Sequence, residues 1–339
     1  MRLSRLGVLA RRALVFALVS STGLAPAAQA QQQEQRPDGY AISVTVPVVN
    51  VDVVVTDDNG TYLTNLKQEN FRITEDGKPQ VITNFSTTEA PITVVLLVEY
   101  SKLGYGWFLY NATYWADAFL RQMKQTDWMA LISFSLQAKI EVDFTHNASE
   151  VQQGLRSMYF PPFSEANLFD ALVDTIDRLQ EVEGRKSILI LASGYDTFSK
   201  LTLDKTLKRL RESDVTINAV GVGERFAIQY LGGGGVEYLQ AQNQLRTFAT
   251  MSGGRAWFPR FDGDIPAVMY DVAASLRHQY SLAYTPTNQA TDGKYRKIKV
   301  EAVNPDGSPL TVTDAKGKKV KFKVYARQGY QAPTSDVAN

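Results

Sequence analysis

The apolar positions change their period twice along the chain. From residue 41 to residue 89 they alternate with polar ones. Ile42, Val44 and Val46 lead, and after Pro47 the phase continues through Val49, Val51, Val53 and Val55. Period two predicts half-buried strands. Asp57-Asp58-Asn59-Gly60 is a turn signal, and Asp76-Gly77 is a compact hairpin turn joining residues 71–75 to residues 78–85. These strands look like part of a sandwich, too small to close its own core.

From residue 92 the pattern alternates between strands and helices. Ile92-Thr93-Val94-Val95-Leu96-Leu97-Val98 is a continuous apolar run, as in a strand buried on both faces. Residues 108–123 read as a helix, 128–134 and 139–144 as strands, and 149–158 and 167–179 as helices. Residues 187–191 form another buried strand, followed by a helix at 203–211, a strand at 216–222 and a helix at 239–251. A short strand at 256–258 and a helix at 265–277 complete the series. The fold class is therefore α/β, with a doubly wound, mostly parallel sheet. Beyond it the pattern returns to β at 280–284, 295–303 and 320–326, with turns at Asp292-Gly293 and Asp306-Gly307. The simplest architecture pairs these strands with those of residues 41–89. The α/β domain is then inserted in a discontinuous β-sandwich. Two separate small β units are the alternative.

The first thirty residues read differently. Arg2, Arg5, Arg11 and Arg12 precede an apolar run, and Ala28-Gln29-Ala30 has the spacing of a signal-peptidase site. The run is short for a bilayer span. A cleaved secretory signal is expected, an uncleaved anchor being the alternative. The predicted segments are a signal at 1–30, a glutamine-rich lead-in at 31–40, and β strands at 41–90. The α/β domain follows at 91–279, then β strands at 280–330 and a tail at 331–339. The mature protein is expected to be periplasmic or extracellular and not integral to the membrane.

Charge and composition narrow the chemistry. The signal carries four arginines and no acid, so its removal takes the net charge from +1 to −3. A chain so close to neutrality has no general attraction for nucleic acid. The absence of cysteine excludes disulfides, thiolate metal sites and cysteine nucleophiles.

Several segments then carry a resemblance. Glu99-Tyr100-Ser101, a carboxylate-x-Ser at a strand end, resembles the start of the metal motif of von Willebrand factor A domains. Asn167-Leu168-Phe169-Asp170-Ala171-Leu172 resembles the helix after that family's threonine loop. Ile190-Leu191-Ala192-Ser193-Gly194 resembles the strand end that holds its second aspartate. The flanking segments are Asn70-Phe71, Glu75-Asp76-Gly77, Ser252-Gly253-Gly254-Arg255, Tyr280-Ser281-Leu282-Ala283-Tyr284 and Gly329-Tyr330. They are similar to a bacterial, especially acidobacterial, exported set of VWFA-related proteins. The resemblance covers about residues 41–330 and implies the von Willebrand A fold with a binding role.

The family site holds a divalent cation through Asp-x-Ser-x-Ser, a threonine and an aspartate. Such ions need hard oxygen donors. Here Glu99 replaces the first aspartate, Ser101 is retained and Leu103 replaces the second serine. Ala166 falls at the threonine and Ser193 at the second aspartate. One carboxylate and two hydroxyls are a poor set, so the site reads as degenerate. No cation and no other cofactor is expected, unless Asp196 folds back to help.

The region after Ser101 is crowded with aromatics. Trp107, Asn111, Tyr114 and Ala118 share one helical stripe, so several belong to the core. A partner surface is expected around Tyr100, Ser101, Tyr105, Trp107 and Tyr195, where open α/β sheets bind ligands. The partner would be a protein or another envelope component. Gly232-Gly233-Gly234-Gly235 lacks the context of a phosphate loop. The lysines of 294–299 and 316–323 line a solvated strand face. His146 and His278 are the only histidines, and no hydrolase or zinc-protease motif is present. Asp170 and Asp174 read as helix-surface or capping residues, and the sequons at Asn59, Asn111 and Asn147 as unused. The chain is expected to be a non-enzymatic binding, adhesion or assembly protein. The alternative is an envelope enzyme with an unrecognised carboxylate site.

Overall fold

The computed structural model describes residues 48–87, 90–102, 112–158, 160–223, 228, 235–313 and 317–334. The signal and lead-in, residues 41–47 and most of the glycine run therefore lie outside the described residues.

The strands are β1 (Val49–Asp57), β2 (Phe71–Glu75), β3 (Lys78–Gln80), β4 (Ile82–Thr87), β5 (Ile92–Glu99), β6 (Trp128–Phe134), β7 (Ala138–Thr145) and β8 (Arg185–Ala192). They continue with β9 (Thr216–Gly221), β10 (Ala256–Trp257), β11 (Gln279–Tyr284), β12 (Tyr295–Ala302), β13 (Val312–Thr313), β14 (Lys319–Val320), β15 (Phe322–Ala326) and β16 (Gly329–Gln331). The helices are α1 (Ala112–Leu120), α2 (Ala148–Ser157), α3 (Leu168–Arg178), α4 (Leu203–Arg211), α5 (Val236–Ser252) and α6 (Ile265–Arg277).

The central sheet has the order β10-β9-β8-β5-β6-β7. Every neighbouring pair is parallel except β6 with β7. All of β5 is buried, because successive side chains enter two different cores. Val94, Leu96 and Val98 pack with Trp115, Phe119, Val151, Val272 and Leu276. Val95 and Leu97 pack on the other face with Leu168, Leu172, Ile176 and Phe248. A stripe-only strand could not feed both layers, which is why the continuous apolar run was needed. In α1 the buried stripe is Trp115, Ala116, Phe119 and Leu120, while Tyr114 is 65% exposed. The predicted stripe through Tyr114 and Ala118 is thus rotated, with Ala118 at its border.

The flanking strands make two antiparallel sheets, β15-β1-β11-β4 and β16-β12-β2-β3. β1 lies between two strands from the far end of the chain, Val51 opposite Leu282 and Val55 opposite Val324. The N- and C-terminal strands thus share sheets, with the α/β elements between them in sequence. Val51, Val53, Phe71, Ile73, Tyr280, Leu282, Tyr284 and Ile298 fill the space between the sheets. Buried Glu75 accepts hydrogen bonds there from the hydroxyls of Tyr284 (2.8 Å) and Tyr330 (3.1 Å).

One predicted element is corrected. Residues 78–85 do not form a single hairpin strand. Only Lys78–Gln80 pairs with β2, and at Val81 the chain crosses to the other sheet to become β4 beside β11. The turn itself is as read: Asp76 (φ 47) and Gly77 (φ 80) are both left-handed, the geometry that follows strand twist.

Candidate functional site

The carboxyl ends of the parallel strands bring together segments far apart in sequence. Glu99 ends β5 and Ser193 follows β8, its neighbour in the sheet. Glu99 is fully buried, and both of its carboxylate oxygens are engaged. The Ser101 hydroxyl donates to Oε1, and the Ser193 backbone N–H donates to Oε2 at 2.6 Å. The Ser193 Oγ in turn accepts from the Tyr195 N–H at 3.3 Å. The longer glutamate side chain therefore ties one strand end to the next. Burial pushes the Glu99 carboxyl above its ordinary value, against the hydrogen bonds from Ser101 and Ser193.

The loop between α2 and α3 lies across these strand ends. Lys102 N–H donates to the Phe163 carbonyl (2.9 Å), and Asn167 N–H to that of Ser135 (2.8 Å). Ala166 meets the loop after β8: its N–H donates to Thr197 Oγ1 (2.9 Å), and its carbonyl accepts from the Thr197 (2.8 Å) and Phe198 (3.1 Å) N–H groups. Asp196 turns to the start of α3, accepting from Phe169 N–H at 3.2 Å and from the Ser199 hydroxyl at 2.6 Å. There it satisfies a donor at a helix start. Burial pushes its carboxyl up as well. Asp170 accepts from the N–H groups of Lys200 and Leu201, both at 2.9 Å, so it fastens the same loop from the helix side.

Of the predicted partner residues, Tyr100, Ser101 and Tyr195 come together here. Tyr100 and Tyr195 are half-buried, and the Tyr100 hydroxyl donates to the Phe160 carbonyl at 3.4 Å. Ser101 is fully buried, so it supports the face from beneath and offers no contact surface. Tyr105, Trp107 and Leu103 lie outside the described residues. The two loops also present aromatics that the sequence reading passed over: Phe160 is 78% exposed, Phe163 43% and Phe198 53%. The signal for the first two was Phe160-Pro161-Pro162-Phe163, an aromatic pair around prolines in a segment with no buried period.

The profile of the von Willebrand factor type A domain family matches residues 94–256. The chain carries a von Willebrand factor type A domain. The match spans the central sheet from β5 to β10, with α1 to α5. Solved structures similar to the chain include a von Willebrand factor type A protein from Catenulispora acidiphila. That likeness has a TM-score of 0.46 and 10% identity, covering 86% of this chain and 76% of that one. An aerotolerance-related membrane protein from Bacteroides fragilis gives 0.43 and 14% identity, covering 54% and 98%. The domain of a type V pili tip protein from Porphyromonas gingivalis gives 0.42 and 12%, covering 56% and 96%. No curated protein matches the chain.

The residues at this domain's cation position do not fit a divalent ion. The one carboxylate, Glu99, is buried with both oxygens accepting hydrogen bonds. Ala166 offers only backbone atoms, already engaged with Thr197. Asp196 is turned to α3. A cation there would have to displace the Ser101 and Ser193 donors and draw further oxygens from elsewhere.

Proposed function

We propose that the chain is an exported, non-catalytic binding module that takes a protein partner at the carboxyl-end face of its von Willebrand domain, without a metal ion. The observation behind this reading is the closed Glu99–Ser101–Ser193 arrangement, which leaves no carboxylate facing solvent at the cation position. Recognition then falls to the aromatic surface around it. Tyr100, Tyr195, Phe160, Phe163 and Phe198 supply rings on loops held by backbone hydrogen bonds. Tyr105 and Trp107, in the loop after Ser101, belong to the same surface on sequence grounds. Large rings on a pre-organised surface make strong anchors at low entropic cost. Export rests on the basic and apolar start of the chain and Ala28-Gln29-Ala30, and places the module in the periplasm or outside the cell. The flanking segments that resemble exported bacterial VWFA-related proteins point the same way.

Capture from envelope extract in the presence of a chelator tests this reading. The wild type is expected to retain its partner. Phe160→Ala with Phe163→Ala, and separately Tyr105→Ala with Trp107→Ala, are expected to weaken capture by about tenfold or more per ring while leaving the melting temperature unchanged. Unchanged capture by both variants overturns the surface. Micromolar binding of magnesium or manganese in calorimetry overturns the metal-free part.

A further inference from the structure

The two open sides of the sandwich are finished differently. On one side, β15 carries Lys323, with Lys321 just before it, and both are exposed. The end of α5 packs against that strand, so closely that a Cβ on Gly253 would lie 2.5 Å from the Arg327 nitrogen. On the other side lie β3 and β4. β3 is three residues long and includes Lys78 and Pro79. Charge, proline and shortness are the usual guards of a sheet edge. β4 has none of them. It runs for six residues, Ile82–Thr87, without charge or proline, and among the described residues it pairs only with β11.

A groove adjoins this edge. Because β3 ends at Gln80, opposite Ile73, no described strand lies beside Phe71 and Arg72 on that side of β2. A cavity of about 670 Å³ lies along this stretch, lined by Phe71, Ile73, Pro79, Val81 and Ile82. Val81, at the crossing between sheets, is 77% exposed. Of the charged groups on the rim, Glu301 is paired with Lys299 at 2.6 Å, leaving Glu69 and Arg72 with one charge of each sign.

We propose that β4 and this groove receive an extended, uncharged strand from a partner polypeptide. The occupant follows from the chemistry. A free strand edge offers a row of N–H and C=O groups that another backbone matches, and a neighbouring groove takes alternate side chains. The balanced rim gives a charged strand no partner, so burial of its charge would be uncompensated. This surface is separate from the carboxyl-end face, and its failure leaves that reading intact.

The probe is a fluorescent, strand-length peptide of alternating threonine and valine, titrated into the full chain. Anisotropy is expected to rise, and amide hydrogen exchange to slow within residues 82–87. Asn84→Lys with Ser86→Lys places lysines at two exposed positions of β4 and is expected to weaken the peptide at least tenfold, with an unchanged melting temperature. The proposal is overturned if the wild type does not bind the peptide at millimolar concentration. Slowed exchange confined to other segments also overturns it. Concentration-dependent dimerisation that the two lysines abolish would make the occupant a second copy of the chain, and would overturn it in this form.

Discussion

At Glu99 two effects of opposite sign meet. Full burial disfavours the charged carboxylate, while the Ser101 hydroxyl and the Ser193 N–H favour it, and burial is the larger. The folded state therefore holds this proton more tightly than the unfolded chain does. Its contribution to stability is greatest below the ordinary glutamate value of 4.5 and is lost as pH rises from there through the raised folded value. Glutamine keeps an acceptor for Ser193 and a donor for Ser101 but has no charge to bury. Glu99→Gln is expected to gain stability over the wild type as pH rises through that window, in urea titrations at a series of pH values. A constant difference would show that Glu99 does not titrate there. Asp52 and Asp196 are also pushed up by burial, but their effect is common to both proteins and cancels in the difference. Glu99→Ala leaves the Ser193 N–H without its acceptor in a dry site, at about 1–3 kcal/mol. The chemistry of Leu103, Ala166 and Ser193 as poor donors was legible from residue type alone. The turn of the carboxylate onto a residue 94 positions away was not, because it depends on β8 lying beside β5.

At the scale of single elements, glycines separate strain from collision. Gly77 has a left-handed φ of +80 but open space around its Cβ position. Gly77→Ala is expected to cost about 1–2 kcal/mol, the ordinary penalty of that conformation. Gly254 has no such φ, yet a Cβ there would sit 1.9 Å from the Ile217 carbonyl oxygen. Gly254→Ala is expected to cost about 3 kcal/mol or more, since backbone must move. Urea unfolding of both variants checks the order, and a reversed order would mean that the Ile217 backbone gives way easily. The same contrast governs what could be read in advance. The apolar runs of β5 and β8 declared their burial because each strand is covered on both faces. The crossing at Val81 left no mark, since Lys78 to Phe85 continues without a turn residue and the change of partner is a tertiary event. Phe160, Phe163 and Phe198 were equally silent, because aperiodic loops take their position from partners such as the Lys102 N–H and the Ala166 carbonyl.

In the whole molecule the chain passes between sandwich and von Willebrand domain only twice, from β4 to β5 and from α6 to β11. Side chains must therefore supply much of the attachment, and Arg255 is at its centre. Its guanidinium pairs with Asp271 of α6 at 3.1 Å and donates to the Tyr62 hydroxyl of the sandwich at 2.8 Å. It also lies over the rings of Trp257 at 4.7 Å and of Tyr325, in β15, at 5.0 Å. The Trp257 indole N–H donates to Asp271 at 2.7 Å, so the acid is held in place for the arginine. The Ser252-Gly253-Gly254-Arg255 motif thus has a physical reading: two glycines let α5 approach β15 and Ile217, and the arginine fastens the contact. Breaking a buried ion pair costs about 3–5 kcal/mol, less where one partner is partly exposed as Asp271 is, and each stacked ring adds up to about 1 kcal/mol. Arg255→Ala is expected to lose about 2–4 kcal/mol and to split a single calorimetric transition into two, as sandwich and domain melt separately. Arg255→Lys keeps the charge but not the planar fork or its stacking, so it is expected to follow alanine rather than the wild type. A lysine variant that melts as the wild type does would assign the attachment to charge alone, and an alanine variant that does so would place it elsewhere in the interface.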